Sequence, residues 1–300
     1  QSTGRFTVTD VAFHPISENY VAASATNGMV AVFDVNHSTE EKRVVGRSRW
    51  DSIEAPRSVN KVNWHPTDDK VLISAGMDGI VRLFDLREKS HKGTLYNTRS
   101  EATRDVQINP FDASMFAAIS ENGVLSIWDQ RNNDIPVSKI NAHTMSGLSV
   151  SWNPSFRGVI ATGSRDKTVK VWDLGHSASN KSGSVISNNF LRLATANNED
   201  LASKLGHRPV TVIHTPSSVG RIRWRKTDKF ADQLATVSTG ADTYSGEILV
   251  WSVNKPNMPI CILKAHGADP CTDFAWLDTP TNPHEAKPSE GGKQGKDDKD

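Results

Sequence analysis

The sequence predicts an all-β fold made of repeated antiparallel sheets. One short phrase, an aliphatic residue, a spacer and a large apolar residue, ends at positions 13, 64, 108 and 152. A second phrase, an aromatic residue followed by Asp, has its aromatic residue at positions 33, 84, 128 and 172, always 20 residues later. A fixed interval held through four copies indicates an internal repeat.

Each repeat shows the local signals of short strands joined by tight turns. Lys170 stands between Val169 and Val171, an alternation of apolar and polar residues that is typical of a half-buried strand. Asn27-Gly28 and Asp78-Gly79 precede such strands, and both pairs favour two-residue hairpin turns. Pro66 follows the first strand of the second repeat and ends it, because proline cannot donate to a strand ladder. Units of about 40–45 residues with four strands predict the blades of a β-propeller.

The predicted propeller spans residues 5–278, and two stretches break its period. The next copies of the first phrase end at positions 224 and 276, so the interval after 152 is longer than the others. The surplus falls in the Ser- and Asn-rich insertion 175–209, and residues 279–300 form a polar, charged tail typical of a linker. The expected blades are about 7–47, 58–98, 102–141, 146–175 and 210–264, with the start of a sixth at 272–278.

Five blades and the start of a sixth point to a six- or seven-bladed propeller. An open propeller leaves unpaired strand edges. We expect closure by further residues of a longer chain or, less favoured, by blades that a partner supplies.

Composition excludes several classes of protein. Charged residues make up 23% of the chain and the net charge is +1, which argues against global disorder and against nucleic acid as a partner. No apolar run reaches the roughly 18 residues that span a bilayer, and no signal peptide is recognisable. With only Cys261 and Cys271, we expect free thiols in a reducing compartment.

The fourth repeat resembles the WD-repeat proteins. Ala142-His143, Asp166 and Trp172-Asp173 follow that family's signature. The resemblance implies a buried hydrogen-bond chain of His143, Thr162 (or Ser164), Asp166 and Trp172, with a structural role. The first two repeats depart from it, because Phe stands at the Trp position.

An ordered series of segments resembles a narrower family. The segments are Ala25-Thr26-Asn27-Gly28, Val59-Asn60-Lys61-Val62, Arg104-Asp105-Val106-Gln107 and Ala161-Thr162-Gly163-Ser164-Arg165-Asp166-Lys167. This order is similar to the N-terminal propeller of the WD repeat-containing protein 24 family, a subunit of the SEA/GATOR complex. The resemblance implies a cytoplasmic scaffold recruited to the vacuolar or lysosomal surface, which relays amino-acid availability to TOR kinase and regulates autophagy. It also implies protein partners, above all other WD-repeat subunits.

Catalytic and cofactor motifs are not found. The sequence has no phosphate-binding glycine loop, no Gly-x-Ser-x-Gly elbow and no His-Glu-x-x-His pair. We therefore expect no enzyme activity, metal, cofactor or small-molecule substrate. A WD-repeat adaptor for chromatin or ubiquitin-ligase substrates is the alternative, and a propeller enzyme is a disfavoured one. The family's C-terminal zinc-binding RING module is absent from these 300 residues.

The repeat also predicts a face for partner binding. In a propeller, the residue before each first-strand phrase and the residue before each hairpin turn gather around the central channel. Several charged residues share these positions, and charge pairs of mixed sign suit protein recognition. The candidate residues are Asp10, Lys61, Arg104, Asp105, Glu121, Arg165, Arg221 and Asp273. Pairing among themselves, without any partner, is the alternative.

Overall fold

The protein is represented by a computed structural model. It describes residues 7–17, 19–35, 57–88, 93–174, 208–238, 246–264, 269 and 271–276, together with the backbone of 43–47. Among these residues, twenty strands and one short 3₁₀ turn are present. The insertion 175–209 lies outside the described residues except for 208 and 209, and the tail 279–300 lies wholly outside them.

The strands form five four-stranded antiparallel sheets, each built from strands that are consecutive in the chain. The first sheet contains β1 (Val8–Phe13), β2 (Tyr20–Ala25), β3 (Met29–Asp34) and β4 (Arg43–Arg47). The second contains β5 (Val59–Trp64), β6 (Val71–Gly76), β7 (Ile80–Asp85) and β8 (Thr94–Asn97). The third contains β9 (Thr103–Ile108), β10 (Met115–Ser120), β11 (Val124–Asp129) and β12 (Ser138–Asn141).

The last two sheets follow the same order. The fourth contains β13 (Gly147–Trp152), β14 (Val159–Ser164), β15 (Thr168–Asp173) and β16 (Thr211–His214). The fifth contains β17 (Val219–Trp224), β18 (Gln233–Ser238), β19 (Glu247–Ser252) and β20 (Cys261–Lys264). Because the first strands β1, β5, β9, β13 and β17 pack against one another in succession, the sheets are the blades of a β-propeller.

One expected boundary is wrong. The sequence analysis places residues 210–214 in the fifth blade, but β16 pairs with β15 of the fourth, Val169 lying opposite Ile213. The insertion therefore separates the third and fourth strands of blade four. A four-residue strand has no pattern of its own that assigns it to one sheet, so only pairing decides its place.

The core lies between neighbouring blades. Leu72 and Phe84 of blade two pack with Val30 and Val32 of blade one, and all four are buried. First-strand tryptophans add a repeated hydrogen bond to the blade before them: the Trp64 indole nitrogen donates to the Ala12 carbonyl at 3.0 Å. Trp152 and Trp224 make the same bond to Gln107 and Ser151, at 3.1 and 3.0 Å.

The predicted start of a sixth blade occupies the place of a first strand but does not form one in its described residues. Residues 271–276 have no strand structure, and 277–278 lie outside the described residues. Trp276 nevertheless repeats the first-strand pattern, because its indole nitrogen donates to the Arg223 carbonyl of blade five at 3.3 Å. Its ring also lies 5.3 Å from the Arg225 guanidinium.

Blade one exposes the face that the other blades bury. Phe13 is 75% exposed, whereas Trp64, its equivalent in blade two, is 5% exposed. Val11 is 47% exposed, and its equivalent Val62 is fully buried. Among the described residues no blade covers this face, so it is suited to contact with a further blade.

Candidate functional site

A buried hydrogen-bond chain joins two strands of blade four, the hairpin turn between them and the loop before the blade's first strand. The Trp172 indole nitrogen donates to Thr162 Oγ1 at 2.9 Å, and Thr162 Oγ1 lies 2.8 Å from His143 Nε2. His143 Nδ1 lies 2.9 Å from Asp166 Oδ2. One arrangement of protons satisfies every member: Thr162 donates to Nε2, and Nδ1–H donates to the carboxylate. The four residues predicted from the WD-repeat resemblance are thus brought together, with Thr162 in the hydroxyl position.

The imidazole in this chain is neutral at physiological pH. Burial lowers the pKa of His143 below its usual 6.5, and this effect exceeds the opposing attraction of Asp166. Burial acts in the other direction on Asp166, but hydrogen bonds from Thr168 and His143 hold the pKa of its carboxyl below the usual value. A neutral His beside an ionised Asp fits the proton arrangement above.

The same residues do not form a catalytic triad. Ser164 Oγ donates to the Met145 carbonyl at 3.4 Å and accepts from the Asp166 amide at 3.1 Å, while the imidazole faces Thr162. A nucleophilic serine needs the base within hydrogen-bond reach. Within the described ranges, no group of three or more His, Cys, Asp or Glu side chains is placed to hold a metal ion.

Blade two replaces the imidazole with a guanidinium, which the sequence analysis missed. Arg82 donates to both carboxylate oxygens of Asp78, with distances of 3.2 and 2.6 Å, and both side chains are buried. Strand pairing places Arg82 opposite Ser74, as Lys170 lies opposite Thr162 in blade four. A charged residue on the inward side of a buried strand, four residues after the turn Asp, is the signal that would have identified the pair.

In the described parts of blades three and five, only the indole bond of this chain is found. Trp128 donates to Ser126 Oγ at 3.0 Å, because the position equivalent to Thr162 is Ala118. Trp251 donates to Thr236 Oγ1 at 3.0 Å, and Thr236 is the equivalent of Thr162 in blade five. The repeat thus conserves a partner for the indole while the partner's position changes.

The residues before each first-strand phrase meet around the channel, as the repeat predicts. Lys61 Nζ lies 2.9 Å from Asp10 Oδ1. The Arg221 guanidinium of blade five lies 3.7 Å from Asp10 of blade one and 3.8 Å from Asp105 of blade three. We call Asp10, Lys61, Asp105, Ser149, Arg221 and Asp273 the channel ring.

The channel ring also fixes neighbouring blades to each other. Asp10 accepts the Val62 amide at 3.1 Å, Asp105 accepts the Val150 amide at 3.0 Å, and Ser149 Oγ accepts the Ile222 amide at 3.1 Å. Lys61 and Arg221 have no side-chain acceptor. At the blade position after each of them, the ring Asp accepts the amide of the residue that follows it in the chain. Asp105 does so for Val106, and Asp273 does so for Phe274, both at 2.8 Å.

Charges in the channel ring satisfy one another. Burial lowers the pKa of Arg221, but the carboxylates of Asp105, Asp10 and Asp273 raise it further, so the net pKa lies above its usual value. Burial raises the pKa of Asp273, and the hydrogen bond and charge of Arg223 together with the charge of Lys61 bring it below normal. Since Asp10 and Asp105 are 7% and 3% exposed, these carboxylates are not open to a partner.

The remaining predicted residues, Arg104, Glu121 and Arg165, form a more exposed set. Together with Ser146, which the sequence did not predict, we call them the surface group. Arg104 pairs with Glu121, and Ser146 Oγ donates to the other Glu121 oxygen at 2.7 Å. Burial raises the pKa of Glu121, but Arg104, Ser146 and Arg165 outweigh it and hold the pKa below normal. Arg165 itself is exposed.

The two cysteines are free thiols. Cys261 is exposed and Cys271 is buried, and burial with the nearby Asp273 charge raises the pKa of the Cys271 thiol. A raised pKa disfavours the reactive thiolate. In the part of the chain that the structure describes, no helix is long and apolar enough to cross a membrane.

Sequence comparisons find one matching family and several similar proteins. The family described as "MIOS, WD40 repeat" matches residues 38–186. "GATOR2 complex protein WDR24" of Homo sapiens is 38% identical over 102 residues, which are 33% of this chain and 12% of that protein. The Drosophila melanogaster protein "GATOR2 complex protein Wdr24" is 31% identical over 105 residues, 35% of this chain and 13% of that protein. "Restriction of telomere capping protein 1" of Eremothecium gossypii is 31% identical over 110 residues, 35% of this chain and 8% of that protein.

A solved structure supports the fold. A chain in "Crystal Structure of Mitotic Checkpoint Complex" superposes with a TM-score of 0.63 at 18% identity, covering 89% of this chain and 67% of that chain. The fold is therefore shown by two independent findings, the match to a WD40-repeat family and the superposition. The sequence relatives are far longer than the stretch they share with this chain.

Proposed function

We propose that this chain, a WD-repeat β-propeller related in sequence to the GATOR2 complex protein WDR24, is a non-catalytic scaffold of a GATOR2-type complex. The observation that carries the proposal is the similarity of about a third of the chain to relatives whose names assign them to that complex. The matched stretches cover only 12–13% of those relatives. The propeller is thus proposed to supply one interaction module of a larger protein.

The polar groups support a scaffold rather than an enzyme. In blade four, His143 and Asp166 are saturated by structural partners, and Asp166 accepts from Thr168 as well. In the channel, Arg221 lies between Asp10 and Asp105, where a substrate would have to displace three ion-paired groups. General acid–base catalysis needs a titratable group that can reach a substrate. Each of these groups is instead engaged in a hydrogen bond or ion pair that stabilises the fold.

The surface group is proposed as the place where a partner binds. Arg165 is exposed, and no carboxylate among the described residues is hydrogen-bonded to it, although its charge acts on Glu121. Arginine is enriched at the centres of protein interfaces because its planar group makes several hydrogen bonds at once. A partner that presents a carboxylate to Arg165 would complete a row of alternating charge with Glu121 and Arg104.

The wider role follows from the SEA/GATOR resemblance. The chain is proposed to be cytoplasmic, to join other WD-repeat subunits, and to be recruited with them to the vacuolar or lysosomal surface. There the complex would relay amino-acid availability to TOR kinase. Neither nucleic acid nor a small molecule has a place in this proposal.

The proposal is tested by affinity purification of the tagged full-length protein from its own cells, with mass spectrometry of the co-purifying chains. We expect GATOR2-type subunits, enriched over a mock purification. Recovery of chromatin proteins or ubiquitin-ligase subunits in their place would support the adaptor alternative and contradict the proposal.

The surface group is tested separately by charge reversal. Arg165→Glu is expected to reduce recovery of the partner at least several-fold, because it places the new carboxylate against the partner's carboxylate. The thermal midpoint is expected to stay unchanged. Arg131→Glu is the matched control, since Arg131 is exposed and follows β11 at the opposite end of blade three from Glu121. Equal recovery with both variants would remove the surface group from the interface without affecting the subunit assignment.

A further inference from the structure

Blade five contains a small cavity at the place that an imidazole fills in blade four. The cavity has a volume of about 10 Å³ and is lined by residues 215–219, 236–238, 247 and 249. The Thr215 amide donates to the Lys167 carbonyl in the hairpin turn of blade four, as the His143 amide donates to the Gly123 carbonyl in the turn of blade three. Thr215 therefore occupies the backbone position of His143, with a much shorter side chain.

The side chain of Thr215 does not replace the ring. Its hydroxyl donates to the Ser217 carbonyl at 2.7 Å and is turned along its own loop. Thr236, the equivalent of Thr162, accepts the Trp251 indole and has no imidazole to donate to. Among the described residues, blade five therefore keeps the Thr–Trp half of the blade-four chain, and a cavity lies beside it.

Two buried polar atoms border this space without a hydrogen-bond partner. They are Ser217 Oγ and Glu247 Oε2, the unpartnered buried side-chain atoms found among the described residues, and both residues line the cavity. Ser217 is 3% exposed. The other Glu247 oxygen lies 3.4 Å from Lys264 Nζ, so the carboxylate keeps one oxygen for the cavity.

We propose that a single ordered water molecule occupies this cavity and completes the hydrogen bonding of blade five. Buried polar atoms are almost always paired, and waters take the place of missing side-chain partners. A hydroxyl that can donate and a carboxylate oxygen that can only accept match the two roles of one water. The volume is close to what one water needs, which excludes a larger ligand.

The equivalent positions in blade four show how the site can be closed without water. Strand pairing makes Glu247 the equivalent of Thr168, because Ile248 and Val169 hold the same place opposite Val237 and Gly163. Thr168 Oγ1 lies 3.3 Å from His143 Nδ1. An imidazole at position 215 would take the space of the Thr215 side chain and extend into the volume assigned to the water, with Nε2 toward Thr236 and Nδ1 toward Glu247.

The test compares the 300-residue protein with its Thr215→His variant by crystallography at a resolution that shows buried waters. We expect a density peak within hydrogen-bond distance of Ser217 Oγ and Glu247 Oε2 in the parent, and its loss in Thr215→His. Thr215→Val is the matched control, because it removes the hydroxyl without filling the space and should keep the peak. A parent cavity that is empty, or filled by a protein side chain, would overturn the proposal.

A solution measurement covers the case in which crystals are not obtained. Water-oxygen magnetic relaxation dispersion counts long-lived buried waters, and we expect the count to fall by one from parent to Thr215→His and to stay constant in Thr215→Val. An unchanged count in a folded Thr215→His protein would contradict the site.

Discussion

Replacing the hydroxyl at the centre of the blade-four chain tests the energetic role of that chain. Thr162→Val keeps the shape of a fully buried side chain and removes its oxygen. Two buried groups then lose their partner: the Trp172 indole N–H, at 2.9 Å, and His143 Nε2, at 2.8 Å. A buried polar group left unpaired costs about 1–3 kcal/mol, so the two together predict a loss of about 2–6 kcal/mol in unfolding free energy.

Blade five supplies a matched control for this substitution. Thr236 is the equivalent of Thr162, but only the Trp251 indole depends on its oxygen, at 3.0 Å. Thr236→Val should therefore cost about 1–3 kcal/mol. Both variants are compared with the parent by equilibrium urea unfolding, followed by tryptophan fluorescence and by far-ultraviolet circular dichroism. Equal losses in the two variants, or a Thr162→Val loss within 0.5 kcal/mol of zero, would refute the assignment.

Three further predictions follow from the buried groups. Trp172→Ala should lower the unfolding free energy by about 3–5 kcal/mol, because it empties the space of a large core aromatic, and an unchanged melting midpoint would exclude Trp172 from the core. Arg82→Met should cost about 3–5 kcal/mol by removing the guanidinium that pairs with the buried Asp78 carboxylate, and adding Asp78→Leu should restore most of it; no restoration would count against the ion pair. Burial holds the pKa of His143 and His65 below 6.5 in the folded protein, so the unfolding free energy should fall as the pH drops through about 6.5. His143→Gln should lessen that fall. The same pH dependence in His143→Gln and the parent would contradict the buried neutral imidazole.

The blade period could be read from the sequence because it is written in local signals. Turns such as Asp78-Gly79 require a residue with positive φ, and Gly79 has φ of 73°. In β7, Phe84 packs with blade one and Val81 with blade three, so the strand is covered on both faces. The channel ring followed from the same period, since equivalent residues of successive blades share one height on the axis.

Two features could not be read in this way, because they depend on pairing across the structure. The strand Thr211–His214 is short, and a long insertion separates it from the strand it pairs with. In blade two the turn Asp78 pairs with Arg82 of β7, whereas in blade four Asp166 pairs with His143. A search for His at the expected place in blade two therefore finds nothing. Likewise, the sequence does not show that the charges of the channel ring are paired, because Arg221 lies between the carboxylates of Asp10 and Asp105 only in the folded protein.

An experimental structure of the propeller would test the central claim most directly, through the surroundings of one side chain. The account predicts that the guanidinium of Arg221 lies within about 4 Å of the carboxylates of both Asp10 and Asp105, which come from blades one and three. Only sheets that surround a common axis bring these three residues together. An Arg221 that points to solvent, with Asp10 and Asp105 far from it and from each other, would contradict the account.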